Sequence, residues 1–427
     1  MRVLVLGSGG REHALVWKIG QSPLVERVFC APGNGGIAQD AECLPLPSMD
    51  AASVVRLVRE HKIDLVMVGP EAPLVAGLAD DLSAQGILVA GPSKAAAQLE
   101  GSKIHAKHFM QRHAIPTADF VVCSDVATAL QHANRWGGPA VVKADGRAAG
   151  KGVVVAETLE ETSAALRSIL SGELVGAAGQ QVVLEECLQG EEVSFLVLTD
   201  GEIALPLAPT QDHKRVGNGD TGPNTGGMGV YCDDHIISAA LHQRVMNQIV
   251  YPTLKGLKAE GTPFRGVLYC GLMITSQGPK VLEYNVRFGD PETQAILYRL
   301  DSDIALILQE IASGKLSTSS LRWKPGASAC VVACSGGYPG AYKTGIPIAG
   351  LEVAEATNVK IFHSGTTRNG NSIETSGGRV LGITAAGDNL ASALQSAYAA
   401  ARLVQFGGMH YRTDIGKKGL LRTRPLE

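Results

Sequence analysis

Aromatic residues are scarce: Phe, Tyr and Trp make up 5% of the 427 residues. Charge of one sign is missing as well. Lys and Arg total 38 against 41 Asp and Glu, a net charge of −3, which removes the basic footprint expected of a nucleic-acid binder. No run of about 18 apolar residues occurs, and the chain enters a strand-like segment at Arg2, leaving no room for a signal peptide. Neither a membrane partner nor a secretory route is expected. The eight cysteines lack the dense spacing of a disulfide scaffold. Cys330 and Cys334 are closest, but they lie in an apolar run with no second ligand pair, so they read as small core residues rather than a zinc site. A reducing cytoplasm is the expected compartment.

Two nucleotide-binding signatures are also absent. A Walker loop needs G-x-x-x-x-G-K-[ST] before a helix. Here Asp145 stands in place of the first glycine, Gly152 replaces the hydroxyl residue, and the β-branched run Val153-Val154-Val155 follows. A dinucleotide fingerprint fails at Glu12, where the third glycine belongs, and the next strand ends in Cys30-Ala31-Pro32 without an acidic residue for a ribose. No nucleophile–His pair is evident either.

What is present is glycine, 51 residues of it, in a chain that is 45% hydrophobic and 19% charged. That is the balance of a soluble globular protein with many tight, ligand-facing loops. The length predicts two to four packed units. Strand and helix signals alternate over the first ~100 residues, which argues for a parallel α/β sheet. Strands are expected at Arg2–Leu6, Arg27–Cys30, Asp64–Val68 and Ile87–Ala90. Ligands of such sheets bind beyond the carboxyl ends of the strands, which places Gly7–Glu12 and Gly69–Pro73 on one rim. Gly9, Gly10 and Arg11 at a helix start suit a phosphomonoester; a strand–helix turn with a solvated arginine is the alternative.

A helix is expected over Gln98–His113, then a smaller unit with strands at Ala140–Lys143, Val153–Val155 and Val182–Glu185. Between the first two strands, Gly146–Gly152 with Lys143 and Lys151 forms a strand–loop–strand phosphate lid, since a Gly/Ala backbone can approach phosphates while lysines supply charge. An ordinary hairpin with a basic tip is the competing reading. Gln211–Gly229 holds six glycines and few core formers in nineteen residues. It is expected as a long irregular loop belonging to an active site rather than a disordered insertion. In the strand ending at Tyr284-Asn285, Glu283 and Asn285 share a face about 6–7 Å apart, hard oxygen ligands of the kind Mg²⁺ uses. Beyond Trp323 the texture changes to a separate α+β unit, whose candidate ligand-facing spots are Gly365 and Gly377-Gly378-Arg379.

Lys103, Lys143, the glycine loop, Glu185–Glu192 and Glu283/Asn285 occur in the order found in ATP-grasp ligases. Five motifs narrow the likeness: Gly7–Leu15, Gly69–Leu74, Gln211–Arg215, Thr221–Gly229 and Arg287–Gln294. Across essentially the whole chain the sequence resembles the phosphoribosylamine–glycine ligase family. The resemblance implies an α/β and α+β multidomain fold: an N-terminal parallel α/β (pre-ATP-grasp) unit at 1–102, an ATP-grasp core at 103–121 and 189–323, a mobile lid at 122–188, and a small C-terminal α+β domain at 324–427. It implies ATP as co-substrate, Mg²⁺ or Mn²⁺, glycine and 5-phosphoribosylamine as substrates, and a monomer of purine biosynthesis with no fused second enzyme.

Carried over by motif, Lys103, Lys143, Gly150, Lys151 and Gly152 would meet ATP phosphates or the adenine edge. Glu185, Glu186, Cys187 and Leu188 would read adenine through the backbone, and Glu192 the ribose. Lys214 and Arg287 would neutralise an acyl phosphate, with Asp212, His213 and Asp290 near the amine. Gly9, Gly10, Arg11, Glu71 and Pro291 would take the phosphoribosyl end, while Glu283 and Asn285 hold the metal. One departure stands out: Tyr269-Cys270-Gly271-Leu272 lacks the carboxylate many ATP-grasp members carry on that strand. A carboxylase or other amide ligase of the same fold, and a non-catalytic nucleotide-binding protein, are the alternatives; the Arg287–Glu292 and Gln211–Arg215 motifs argue against the first, and retention of Glu283, Asn285, Arg287 and the lysines against the second.

Overall fold

The computed structural model describes residues 1–145, 152–172, 180–357 and 359–427. Its N-terminal sheet is parallel, in the order Glu42–Cys43, Arg27–Pro32, Arg2–Gly7, Leu65–Val68, Leu88–Ala90. The chain winds outward on one side of the first strand and then on the other. Gly7 and Gly69 therefore flank the switch point where ligands of open α/β sheets bind. The two glycines close on Glu12. A Cβ on Gly69 would lie 2.1 Å from Glu12 Oε1, and one on Gly7 would lie 2.5 Å from Glu12 Cγ.

The expected helix Gln98–His113 is two helices, Gln98–Gly101 and Lys103–Arg112. Ser102 is extended and its Oγ accepts from His105 N at 3.0 Å. A serine that caps a backbone N–H ends one helix and starts the next. The same hydroxyl donates to Asp145 Oδ1 (3.0 Å) at the mouth of the glycine loop.

The smaller unit is a four-stranded antiparallel sheet, Phe120–Cys123, Val182–Glu186, Ala140–Ala144, Val153–Ala156. Helices Val126–Arg135 and Leu159–Leu170 cover it around a separate core that includes Val142, Leu166 and Leu184.

Most of the remaining strands form one antiparallel sheet, running Gly278–Asn285, Gly266–Thr275, Glu191–Thr199, Thr210–Asp212, Gly229–Cys232, Ala327–Cys334, Arg379–Gly387, Lys360–His363, with Ala204–Pro206 paired to Glu191–Thr199 off this path. The chain carries this sheet across the boundary expected near Trp323, while the C-terminal region keeps a hydrophobic core of its own. Ala327–Cys334 pairs with Gly229–Cys232, so the C-terminal strands extend the core sheet and cover what would be an open edge. Cys330 and Cys334 are buried in that strand.

Gln211–Gly229 is also not irregular. It contains Thr210–Asp212, a ribbon of Arg215–Gly217 with Thr221–Asn224, and the start of Gly229–Cys232. The ribbon is held from outside: Asn218 Nδ2 donates to Thr413 Oγ1 (2.8 Å), Gly219 N to Asp414 (2.8 Å), and Arg412 to Asp220 (2.8 Å).

Candidate active site

A cleft of about 620 Å³ is lined by residues of the four-stranded sheet and of the large sheet. A second cavity of about 240 Å³ shares Lys143, Glu283, Asn285 and Arg287 with it and reaches Lys103, Lys107 and Glu71. One end of the cleft is apolar, with Val141, Val155, Met273 and Leu282 beside Glu186, Cys187 and Leu188. Glu186 turns its carboxylate to Lys280 (3.1 Å). Gly152 lines the smaller cavity, whereas Gly150 and Lys151 lie outside the described residues.

Toward the centre the cleft becomes strongly charged. Glu185 bridges Lys143 (2.8 Å) and Lys107 (2.9 Å), all three buried. Lys143 also donates to Leu282 O (2.9 Å), so its ammonium is fixed. Burial lowers Lys107 to about 8, against the pull of Glu185. Burial also lowers Lys103, with Glu283 pulling upward. The residue type that the resemblance assigned to adenine through its backbone thus uses its side chain to space two lysines.

Glu283 and Asn285 reach the same cavity, as their shared face required. In the hairpin they stand opposite Gly271 and Tyr269, with a register shift at Gly271/Leu272. A Cβ on Gly271 would already lie 3.2 Å from Glu283 Cγ, so the missing carboxylate leaves room for Glu283 alone. Burial opposes ionisation of Glu283, yet Lys214, Lys143, Lys103 and Arg287 hold its pKa below the usual value. A carboxylate held ionised and an amide oxygen are hard donors that fit a divalent cation. No cluster of three or more His, Cys, Asp or Glu suited to a metal occurs among the described residues.

Arg287 is fixed by its Nη2 on Glu100 (2.9 Å) and Asn285 Oδ1 (3.0 Å), with Glu71 3.5 Å from Nε. Burial works against its charge, but Glu100 and Glu71 hold it protonated. Lys214 pairs with Glu192 (2.8 Å), which raises its pKa well above the ordinary value. In this arrangement Glu192 faces a lysine on the site of the proposed ribose contact.

Asp212 Oδ1 is buried with no hydrogen-bond partner among the described residues. Burial first, then Glu292, pushes its carboxyl well above the usual range. Glu292 accepts from Tyr269 OH (2.7 Å) and Ser194 Oγ (3.1 Å) behind it.

His213 lines the cleft. Its Nδ1 lies 3.3 Å from Gly229 O, and its Nε2 accepts from Gly416 N at 3.2 Å. Both ring nitrogens thus face backbone groups, which fixes the imidazole against the segment that carries it. Arg11 also turns inward. Its Nε donates to Glu12 Oε1 (2.6 Å) and its Nη1 to Phe288 O (3.0 Å), while Gly9 N donates to Glu12 Oε2 (2.7 Å). Gly10 is buried there, and an added Cβ would meet Gln294 Nε2 and Ser364 Oγ, each at 2.6 Å. Asp290 lines the cleft near it, accepting from Gln294 Nε2 (2.9 Å). Pro291 packs at Gly227, where a Cβ would come within 2.5 Å of Pro291 Cδ.

Glu100, Lys107 and Glu292 belong to this site and were not picked out from sequence. Glu292 lies inside a motif that was, but nothing local marks Glu100, whose partner is 187 residues away.

A lid sheet and a large antiparallel sheet closing on Lys, Glu and Asn side chains define an ATP-grasp ligase, an enzyme class that uses ATP with a divalent metal. The chain belongs to the phosphoribosylglycinamide synthetase family: models of its N domain, ATP-grasp (A) domain and C domain match residues 1–100, 101–293 and 328–418. A phosphoribosylamine–glycine ligase of Vibrio vulnificus is 49% identical over 425 residues, covering 99% of both chains. One from Salmonella typhimurium is 49% identical over 426 residues with the same coverage. The crystal structure of phosphoribosylamine–glycine ligase from Thermotoga maritima superposes with a TM-score of 0.86 at 33% identity, covering 97% of this chain and 100% of that one. A biotin carboxylase from Campylobacter jejuni shares the fold at 15% identity, with a TM-score of 0.74 and coverage of 96% and 92%.

Proposed function

We propose that the chain joins glycine to 5-phosphoribosylamine, converting ATP to ADP and phosphate and forming glycinamide ribonucleotide in the second step of purine synthesis. The carrying observation is the single cleft that unites Lys143, Lys214, Glu283, Asn285 and Arg287 next to the Asp290 rim.

A carboxylate is a poor electrophile. In this reading a glycine carboxylate oxygen attacks the γ-phosphorus, ADP leaves, and the amine then displaces phosphate from the glycyl phosphate carbon with loss of one proton. Phosphoryl transfer of this kind asks the protein for positioning and charge neutralisation. Lys103 and Lys143 would meet the phosphates, with Lys151 from the lid, and residues 185–188 would face adenine. Glu283 and Asn285 would hold Mg²⁺, or Mn²⁺ in its place, to offset phosphate charge. Lys214 and Arg287 would face the transferred group and the glycine carboxylate. Asp212, whose buried Oδ1 has no hydrogen-bond partner among the described residues, would accept the amine proton; Arg379 and Arg11 hold Asp290 low against the effect of burial.

The division into 1–102, 103–121 with 189–323, 122–188 and 324–427 is kept as a functional one, supported by the separate core of the lid. A cytoplasmic monomer acting on small molecules is the simplest setting, and among the described residues no helix is long and apolar enough to cross a membrane. The test is ADP release by the purified chain. It should require both glycine and freshly generated phosphoribosylamine; robust turnover with either omitted, or with bicarbonate replacing glycine, would overturn the assignment.

A further inference from the structure

Arg379 begins the strand Arg379–Gly387 of the C-terminal region, yet its guanidinium ends at the edge of the cleft. Nη1 donates to Gly226 O (2.5 Å) and to Asp290 O (2.8 Å), and Nη2 lies 3.4 Å from Asp290 Oδ2. The Gly226 peptide is gripped from its other end as well, since its N–H donates to Tyr338 OH at 3.0 Å. A Cβ on Gly226 would come within 2.9 Å of the guanidinium carbon. Arg379 itself does not line the cleft, whereas Gly226 and Asp290 do. On its far side Asp290 faces the start of the first helix, where a Cβ on Gly9 would lie 3.4 Å from Asp290 Oδ2. Asp290 thereby joins the N-terminal rim to a C-terminal arginine.

We propose that Arg379, assisted by Tyr338, is a positioning residue for the amine-transfer half of the reaction: it aligns Asp290 and the Gly226 peptide between the rim that receives the phosphoribosyl end and the Lys214/Arg287 pole that holds the activated carboxylate. This rests on the function proposed above. The physical ground is the fork of the guanidinium. One planar group reaches two carbonyl oxygens and a carboxylate at once, which a lysine ammonium on a flexible stem cannot reproduce. Among the described residues, the hydrogen-bond and ion-pair partners of Arg379 are Gly226 and Asp290, not Lys143 or Leu188 at the ATP end of the cleft. A one-ångström displacement of groups that orient an incoming nucleophile is enough to slow its attack by orders of magnitude. Loss of the arginine should therefore fall on the amine and spare the nucleotide.

The experiment is steady-state kinetics on full-length Arg379→Gln, Arg379→Lys and Tyr338→Phe, varying ATP, glycine and phosphoribosylamine in turn. Arg379→Gln should lower kcat/KM for phosphoribosylamine by roughly 10- to 100-fold, the range expected when a charged hydrogen bond is removed, with KM for ATP within about twofold of wild type. Arg379→Lys should recover part of that loss, and Tyr338→Phe should show the same selectivity more weakly. Unchanged kinetics in both Arg379→Gln and Tyr338→Phe would overturn the proposal, as would equal losses toward all three substrates accompanied by a lowered melting temperature. Tyr338→Phe removes one hydroxyl and decides the matter should the arginine variant not fold. Wild-type dependence on both glycine and phosphoribosylamine, measured in the same series, tests the functional reading separately.

Discussion

His213 should make the chain acid-sensitive in a pH range where its paired carboxylates remain ionised. Burial, followed by repulsion from Arg412, lowers its pKa to about 4, whereas an unfolded histidine titrates near ~6.5. A folded pKa below the unfolded one means stability is fully present above ~6.5 and is lost as pH falls toward 4. Each pH unit in that window costs about 1.4 kcal/mol, so acidification from pH 6.5 to 5 should remove about 2 kcal/mol through this imidazole alone. Other buried groups titrate nearby: His363, lowered to about 3 by burial and His13, adds to the loss, and Asp212, raised by burial, works the other way. A variant comparison separates them. His213→Gln supplies an amide N–H for Gly229 O and an oxygen for Gly416 N without a titration. Urea unfolding of both proteins at pH 7.5 and 5.0 should show a wild-type loss about 2 kcal/mol larger than that of the variant. Equal pH dependence in the two proteins, or an NMR-measured pKa for His213 near 6.5, would refute the reasoning.

Gly227 has φ +113°, and an added Cβ would meet Pro291 Cδ at 2.5 Å and Asp212 Oδ1 at 2.9 Å; Gly227→Ala should cost roughly 1–3 kcal/mol in strain and reduce kcat at least tenfold, checked by denaturation and turnover on one preparation. Glu283→Gln removes the one ionised metal donor on its strand, so turnover should drop and the Mg²⁺ concentration for half-maximal rate should rise. An unaltered Mg²⁺ titration at full rate would remove Glu283 from the metal site.

The N-terminal sheet was legible because its signals are local: short apolar runs such as Arg2–Leu6 and Asp64–Val68, each followed at once by a glycine. The shared face of Glu283 and Asn285 was legible because a two-residue period determines which side chains point the same way, and both line the cleft. Ser102 was missed because serine is compatible with a helix interior as well as with a cap, and only Asp145 and His105 N decide between them. For Arg11, a guanidinium beside a glycine loop reads as anion-seeking, and its neighbour Glu12 as a partner was not foreseen. Arg287 with Glu100, and Ser194 with Glu292, pair across 187 and 98 residues. Such pairs leave no trace in a window of sequence.

The boundary near residue 324 carries the largest consequence. A two-stranded ribbon of three- and four-residue strands, such as Arg215–Gly217 with Thr221–Asn224, is marginal by itself. Its anchors come from the other side of that boundary: Thr413 on Asn218, Asp414 on Gly219, Arg412 and Lys418 on Asp220, Gly416 on His213. Arg412 is almost wholly buried in doing so, which commits a charge to the interior for the sake of a segment that lines the cleft. Arg379 and Tyr338 grip the same segment at Gly226. The C-terminal region therefore acts as the wall against which Lys214 and Asp212 are set, and substitutions there should alter turnover without touching any substrate.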